Sequence, residues 1–115
     1  SILEISAQIV NLAERAGTGN IEVSSLTGGT FTITNVGAIG GTGFAAAINY
    51  PESGILGLGR AQDKDVVING EIVIRKILPM GLSYDHRIAD GAMAARFMSG
   101  VVKLLSNPNK LLLER

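Results

Sequence analysis

His86 and Asp90 stand four residues apart in SYDHRIADGAMAARF, Ser83 to Phe97, and His86 is the only histidine in a chain without cysteine. It is therefore the only side chain whose ordinary pKa lies near neutrality, the property a general base needs. Asp90 directly precedes Gly91 and an apolar helical run, the place of an N-cap that accepts backbone N–H bonds from the first turn. A carboxylate there can also orient or electrostatically support a site. Thr34, with Asn35, ends the run TFTITNV just before a glycine-rich loop, and a hydroxyl at a strand end can donate to an oxyanion. Each residue also has a plainer role. His86 can be a packed histidine with satisfied ring nitrogens, Asp90 a cap only, and Thr34 a partner for local backbone. Arg87 either pairs locally or lies on a solvated face. Spacing by itself leaves these alternatives open.

The elements that must position these groups follow from periodicity. Ser1 to Ala16 reads as a helix, with Ile2, Ile5, Ile9, Leu12 and Ala16 near one face and Gly17 as the C-cap. GTGNIEVSSLTGG is a linker. Thr30 to Val36 alternates as a strand, the threonines on one side and Phe31 and Ile33 on the other. GILGLG reads as a short buried strand. DVVINGEIVIRKILPMGLSYDH reads as a hairpin turning at Asn69-Gly70. Its second arm is long, from Glu71 to about His86, with an edge position or bulge at Pro79. On that arm Leu78, Met80, Leu82, Tyr84 and His86 share one face. His86 thus continues an apolar row into a dry, buried setting at a helix N-terminus. Gly91 to Leu105 is a helix, with Met93, Phe97, Val101 and Leu104 at helical spacing, ended by Pro108. NKLLLER is a short apolar tail. The glycine runs GAIGGTG and GILGLG open no helix after a strand, so turns and close backbone approaches explain them better than a dinucleotide fingerprint. The class is α/β with one main sheet.

Composition narrows the chemistry. The 115 residues suit one domain or part of one, and ten basic residues cancel ten acidic ones without a basic block. That argues against nucleic acid and against an anionic membrane surface. One histidine and no cysteine argue against a metal site, a disulfide or a thiol nucleophile. No apolar run is long enough to span a bilayer, and a cytoplasmic or organelle-matrix location fits. The hydrophobic share of 46% is high for a small soluble monomer, with mean hydropathy +0.32. Part of the apolar surface is therefore expected to meet another chain or segment. The opening at Ser1, inside a helical pattern, suggests a cut.

Four blocks, in order, carry a resemblance: GGTFTITNVGAIGG, INYPESGILGLGR, LPMGLSYDHRIADGAMAARF and NPNKLLLER. Together they resemble the C-terminal half of the catalytic domain of dihydrolipoamide acyltransferases, the E2 components of 2-oxo acid dehydrogenase complexes. HxxxDG alone is shared with chloramphenicol acetyltransferase and fixes only a superfamily; DHRxxDG with the FTITNVG block is more specific. The resemblance implies a chloramphenicol acetyltransferase-like mixed sheet flanked by helices, with only the C-terminal half present. It implies trimers that build a larger core, and active sites shared between neighbouring subunits. It assigns His86 as general base, Asp90 as the motif aspartate and Thr34 as the hydroxyl that stabilises the tetrahedral intermediate. The family commonly has serine at that last position. Coenzyme A is then a substrate, lipoyl-lysine arrives on an upstream domain, and the E1 and E3 components are partners; no metal is implied. The missing half holds much of the coenzyme A site, so the fragment is expected to be inactive alone. TNVGAIGGTGFAAAINYPE leans towards the pyruvate and branched-chain members. Two rivals remain: a non-catalytic structural core piece, and an acyltransferase for small molecules, which fits the FTITNVGAIGG and LLLER blocks less well.

Overall fold

The computed structural model describes residues 1–43 and 45–113. Helix α1 spans Ile2–Gly17 and so includes the glycine expected as its cap. Ser1 and Glu4 form a capping box at its start. The C-cap is Thr18, and the left-handed residue is Gly19, whose N–H reaches Ala16 O at 3.1 Å. A short 3-10 turn, Val23–Leu26, leads towards the sheet.

The main sheet has three strands in the order β1 (Thr32–Asn35), β2 (Gly54–Leu58), β5 (Met80–Tyr84). β1 runs parallel to β2 and β5 antiparallel to it, so the sheet is mixed. β2 is central and its residues Gly54–Gly57 are all buried, as its continuous apolar pattern requires. β1 keeps the anticipated alternation, Thr32 and Thr34 half-buried and Ile33 exposed. After β1 the loop turns through Gly37–Ile39 and folds back on the end of β2. A Cβ on Gly37 would lie 2.7 Å from Gly59 O, so only glycine permits this approach.

β3 (Gln62–Ile68) and β4 (Glu71–Ile77) form a separate two-stranded hairpin. Asn69 and Gly70 have φ of 52° and 80°, the double left-handed turn that suits the strand twist. One expectation is corrected here: the second hairpin arm does not run on to His86. It breaks at Leu78-Pro79, and the chain changes sheets. Pro79 has no N–H with which to continue pairing to β3. Its carbonyl instead accepts from Gly59 N at 2.9 Å, which starts the ladder with β2.

Helix α2 spans Gly91–Leu105, as its spacing predicts, and packs on β5 and the adjoining face of the sheet. Phe97 meets Phe31 with ring centroids 5.8 Å apart. A short α3, Asn109–Leu113, follows Pro108. Among the described residues no helix is long and apolar enough to cross a membrane.

Among the described residues, the buried hydrophobic side chains are those of Ile55 and Leu56. The accessible surface is 8986 Å² for 12.0 kDa, where a self-contained globule of that mass exposes about 6000 Å². The radius of gyration, 16.6 Å, exceeds the roughly 13 Å of a compact chain of this length. The excess is apolar in character. Ile2, Ile5 and Ile9 on α1 are exposed, as are Val67 and Ile72, cross-strand partners on the hairpin. The high hydrophobic share therefore lies on surfaces open to a partner.

Candidate active site

The segment that carries His86 begins where β5 ends. Tyr84 is the last paired residue, opposite Gly54, and the chain then turns through residues 85–89 before α2. His86 is consequently not the last member of a buried row. It lies in the turn and is exposed, its ring 5.5 Å from that of Tyr84 at 35°. Leu82 and Tyr84 share the face turned towards Met93 and Phe97 of α2, and the row stops before His86 because the strand has ended. The dry setting anticipated for His86 is absent from this chain taken singly.

Asp90 caps α2: its Oδ1 accepts from Met93 N at 2.7 Å, and its carbonyl accepts from Ala94 N at 3.1 Å. The turn between His86 and Asp90 is organised by Asp85, which sequence reasoning missed. The Asp85 backbone N–H donates to Ser53 O at 2.9 Å, and its carbonyl accepts from Ile88 N and Ala89 N at 3.0 and 3.1 Å. Asp85 Oδ1 accepts from the Arg87 backbone N–H at 3.0 Å and from Arg87 Nε at 2.9 Å. Oδ2 accepts from Arg87 Nη2 at 2.6 Å. The Arg87 guanidinium first, then its backbone N–H, hold the Asp85 carboxyl down at about 2, and the carboxylate in turn raises the Arg87 pKa. Arg87 therefore pairs locally. The only sequence signal for this was the two-residue interval in DHR, the spacing of an Asx turn.

Beneath the turn lies an apolar cleft of about 250 Å³ between α2 and the sheet, lined by Phe31, Leu82, Tyr84, Ala89, Met93 and Phe97. Thr34 lies elsewhere. It pairs with Gly57 on β2 and lines a second recess, with Val36, Ala45 to Ala47 and Ile55. The end of β1 is fixed by Val36 N donating to Leu58 O at 3.0 Å and Gly37 N donating to Asn35 Oδ1 at 2.9 Å.

The register separates Thr34 from the His86 turn. Thr34 is level with Gly57 and Tyr84 with Gly54, on opposite sides of β2. Three residues of rise give about 10 Å along β2, and two strand spacings give about 10 Å across it. The Thr34 and Tyr84 backbones are thus about 14 Å apart. Asp85 pairs with Ser53, one step further from Thr34. The structure brings His86 and Asp90 into one turn and leaves Thr34 at the other end of the strand. Among the described residues no group of three or more His, Cys, Asp or Glu is placed to hold a metal ion.

The chain is similar to known proteins over nearly its full length. It is 45% identical over 113 residues to the dihydrolipoyllysine-residue succinyltransferase component of the 2-oxoglutarate dehydrogenase complex of Rickettsia typhi, covering 98% of this chain and 28% of that protein. It is also 45% identical over 114 residues to the dihydrolipoyllysine-residue acetyltransferase component of the pyruvate dehydrogenase complex of Staphylococcus epidermidis, covering 99% and 26%. The two identities are equal, so the leaning towards pyruvate-type members finds no support in overall similarity. A structure of Azotobacter vinelandii dihydrolipoamide acetyltransferase aligns with TM-score 0.93 at 39% identity, covering 97% of this chain and 46% of that one. That protein was investigated for the role of a serine, a histidine and an asparagine in its catalytic mechanism. The cubic core of a pyruvate dehydrogenase multienzyme complex aligns with TM-score 0.93 at 38% identity and the same coverages. The chain spans about a quarter of the length of the curated relatives it matches, and under half of the solved chains. The family model for the 2-oxoacid dehydrogenases acyltransferase (catalytic domain) matches residues 1–113, and the chain belongs to that family.

Proposed function

We propose that this chain is the C-terminal half of an acyltransferase catalytic domain that moves an acyl group between dihydrolipoyl-lysine and coenzyme A. One observation carries the reading. In the Azotobacter protein the serine, histidine and asparagine investigated for catalysis are separated by 52 and 4 residues, and Thr34, His86 and Asp90 have the same separations in a backbone that superposes at TM-score 0.93.

In this reading neutral His86 takes the proton from the coenzyme A thiol, and the thiolate attacks the thioester carbonyl of the acylated lipoyl group. The electron pair pushed onto the carbonyl oxygen is met by the hydroxyl of Thr34. When the tetrahedral intermediate collapses, the C–S bond to the lipoyl sulfur breaks and His86 returns its proton to that sulfur. General-base assistance is worth about 100- to 10,000-fold and one oxyanion donor roughly 100- to 1,000-fold. No acyl-enzyme is formed. Thr34 supplies the same hydroxyl as serine with an added methyl. Asp90 fixes the N-terminus of α2 and with it the far end of the His86 turn.

The separation of Thr34 from that turn supports a site completed between subunits, His86 from one and Thr34 from its neighbour. A neighbour would also cover the exposed turn and return His86 to a dry setting. The likeness to a cubic core supports assembly into trimers and a larger core, served by lipoyl domains and by the E1 and E3 components. The test is His86→Ala in the full-length parent protein, followed by formation of S-acyl-dihydrolipoamide from acyl-coenzyme A and dihydrolipoamide. A fall in kcat of about 100-fold or more with an unchanged Tm is expected. Near-normal turnover in a folded variant overturns the general-base role.

A further inference from the structure

Asp85 precedes His86, and each of its polar groups is spent on the turn that carries the imidazole. Its N–H ties the turn to Ser53 at the entry to β2, and its carbonyl accepts from Ile88 and Ala89 on the far side of His86. Its carboxylate reaches over His86 to the Arg87 backbone N–H, closing an Asx turn with His86 as the central residue. The guanidinium closes a second ring over the same residue through Nε and Nη2. The Asp85 side chain is 18% exposed and that of Arg87 is 89% exposed. Burial of Arg87 therefore does not demand this contact, and the arginine acts as a brace on the aspartate. His86 itself sits on an exposed turn, and no core packing fixes its backbone.

We infer that Asp85 is a positioning residue for His86: with Arg87 it sets the backbone conformation of His86 and so the direction in which the imidazole leaves the turn. The inference rests on the general-base role proposed for His86. The low carboxyl pKa agrees with it, since the clamp stays ionised wherever a neutral imidazole serves as base. A displacement of about 1 Å in a reacting group costs on the order of 100-fold in rate. By contrast, an exposed ion pair with only a structural role contributes little.

The experiment is a cycle in the full-length parent protein: Asp85→Ala, Asp85→Asn, His86→Ala and the double variant Asp85→Ala/His86→Ala. Each is assayed with dihydrolipoamide and either acetyl- or succinyl-coenzyme A. Asp85→Ala should lower kcat by about 100-fold with both KM values within about twofold of wild type. Asp85→Asn keeps the acceptor for the Arg87 N–H and loses the charge under the guanidinium, so its kcat should fall between the two. In the His86→Ala background Asp85→Ala should cost no further rate, because a group acting through another contributes nothing once that other is gone. Two results overturn the inference while leaving the general base intact: a kcat for Asp85→Ala within about twofold of wild type, or an equal loss with and without His86. If His86→Ala is itself near normal, the general-base reading fails and this inference falls with it. Should Asp85→Ala not fold, Asp85→Asn and Arg87→Gln are read through the same cycle.

Discussion

If His86 and Thr34 of one chain serve different sites, two dead variants should rescue each other. Within a chain the Thr34 and Tyr84 backbones are about 14 Å apart, and the turn beyond Tyr84 leads away along β2. A carbonyl under attack must lie about 3 Å from the hydroxyl, with the attacking thiol about 3 Å from the imidazole. Within one chain the hydroxyl and the imidazole start from opposite ends and opposite sides of β2. The perturbation is His86→Ala and Thr34→Ala, made separately in the full-length parent, each losing about 100-fold or more. Unfolded together in equal amounts and refolded, they assemble at random into trimers. A three-fold ring has head-to-tail interfaces, each joining one His86 surface to one Thr34 surface, so about a quarter of interfaces carry both intact residues. The assay is acyl transfer per mole of trimer, with mass spectrometry confirming mixed trimers. Recovery near a quarter of wild-type kcat is the expected outcome. Activity no higher than the mean of the two variants, in a sample shown to be mixed, refutes the shared site.

Two further outcomes follow from the geometry. Asp90→Ala should lose about 1 kcal/mol of stability with the cap as well as rate, whereas Asp90→Asn keeps a capping oxygen and should retain most of both. Equal Tm losses with unchanged rates in both variants would make Asp90 purely structural. The 115-residue chain by itself exposes about 3000 Å² more than a globule of its mass, so it should elute as an assembly or aggregate, bind a hydrophobic dye and show no transfer activity. A monodisperse, dye-negative monomer with activity would contradict that account.

Local elements were legible in the sequence because their signals are local. Asp90 before an alanine- and methionine-rich run set the start of α2, and Pro108 its end. Asn69-Gly70 set the hairpin turn, because both residues tolerate positive φ. The continuous apolar stretch of β2 announced a strand buried on both faces. The four blocks that hold Thr34, His86 and Asp90 were equally a property of the chain, and they carried the family resemblance. What tertiary structure decided was each choice between partners far apart in sequence. Pro79 marked an edge position or a bulge, but only pairing to β2 in place of β3 determined that the strand past it would join another sheet. Alternation extended the row from Leu78 to His86, yet the strand stops where the Asp85 carbonyl accepts from Ile88 and Ala89 and turns the chain. The distance between Thr34 and the His86 turn came from two registers on one strand, parallel on one side and antiparallel on the other. Periodicity reports which side a residue faces; only the register reports how far along the sheet it lies.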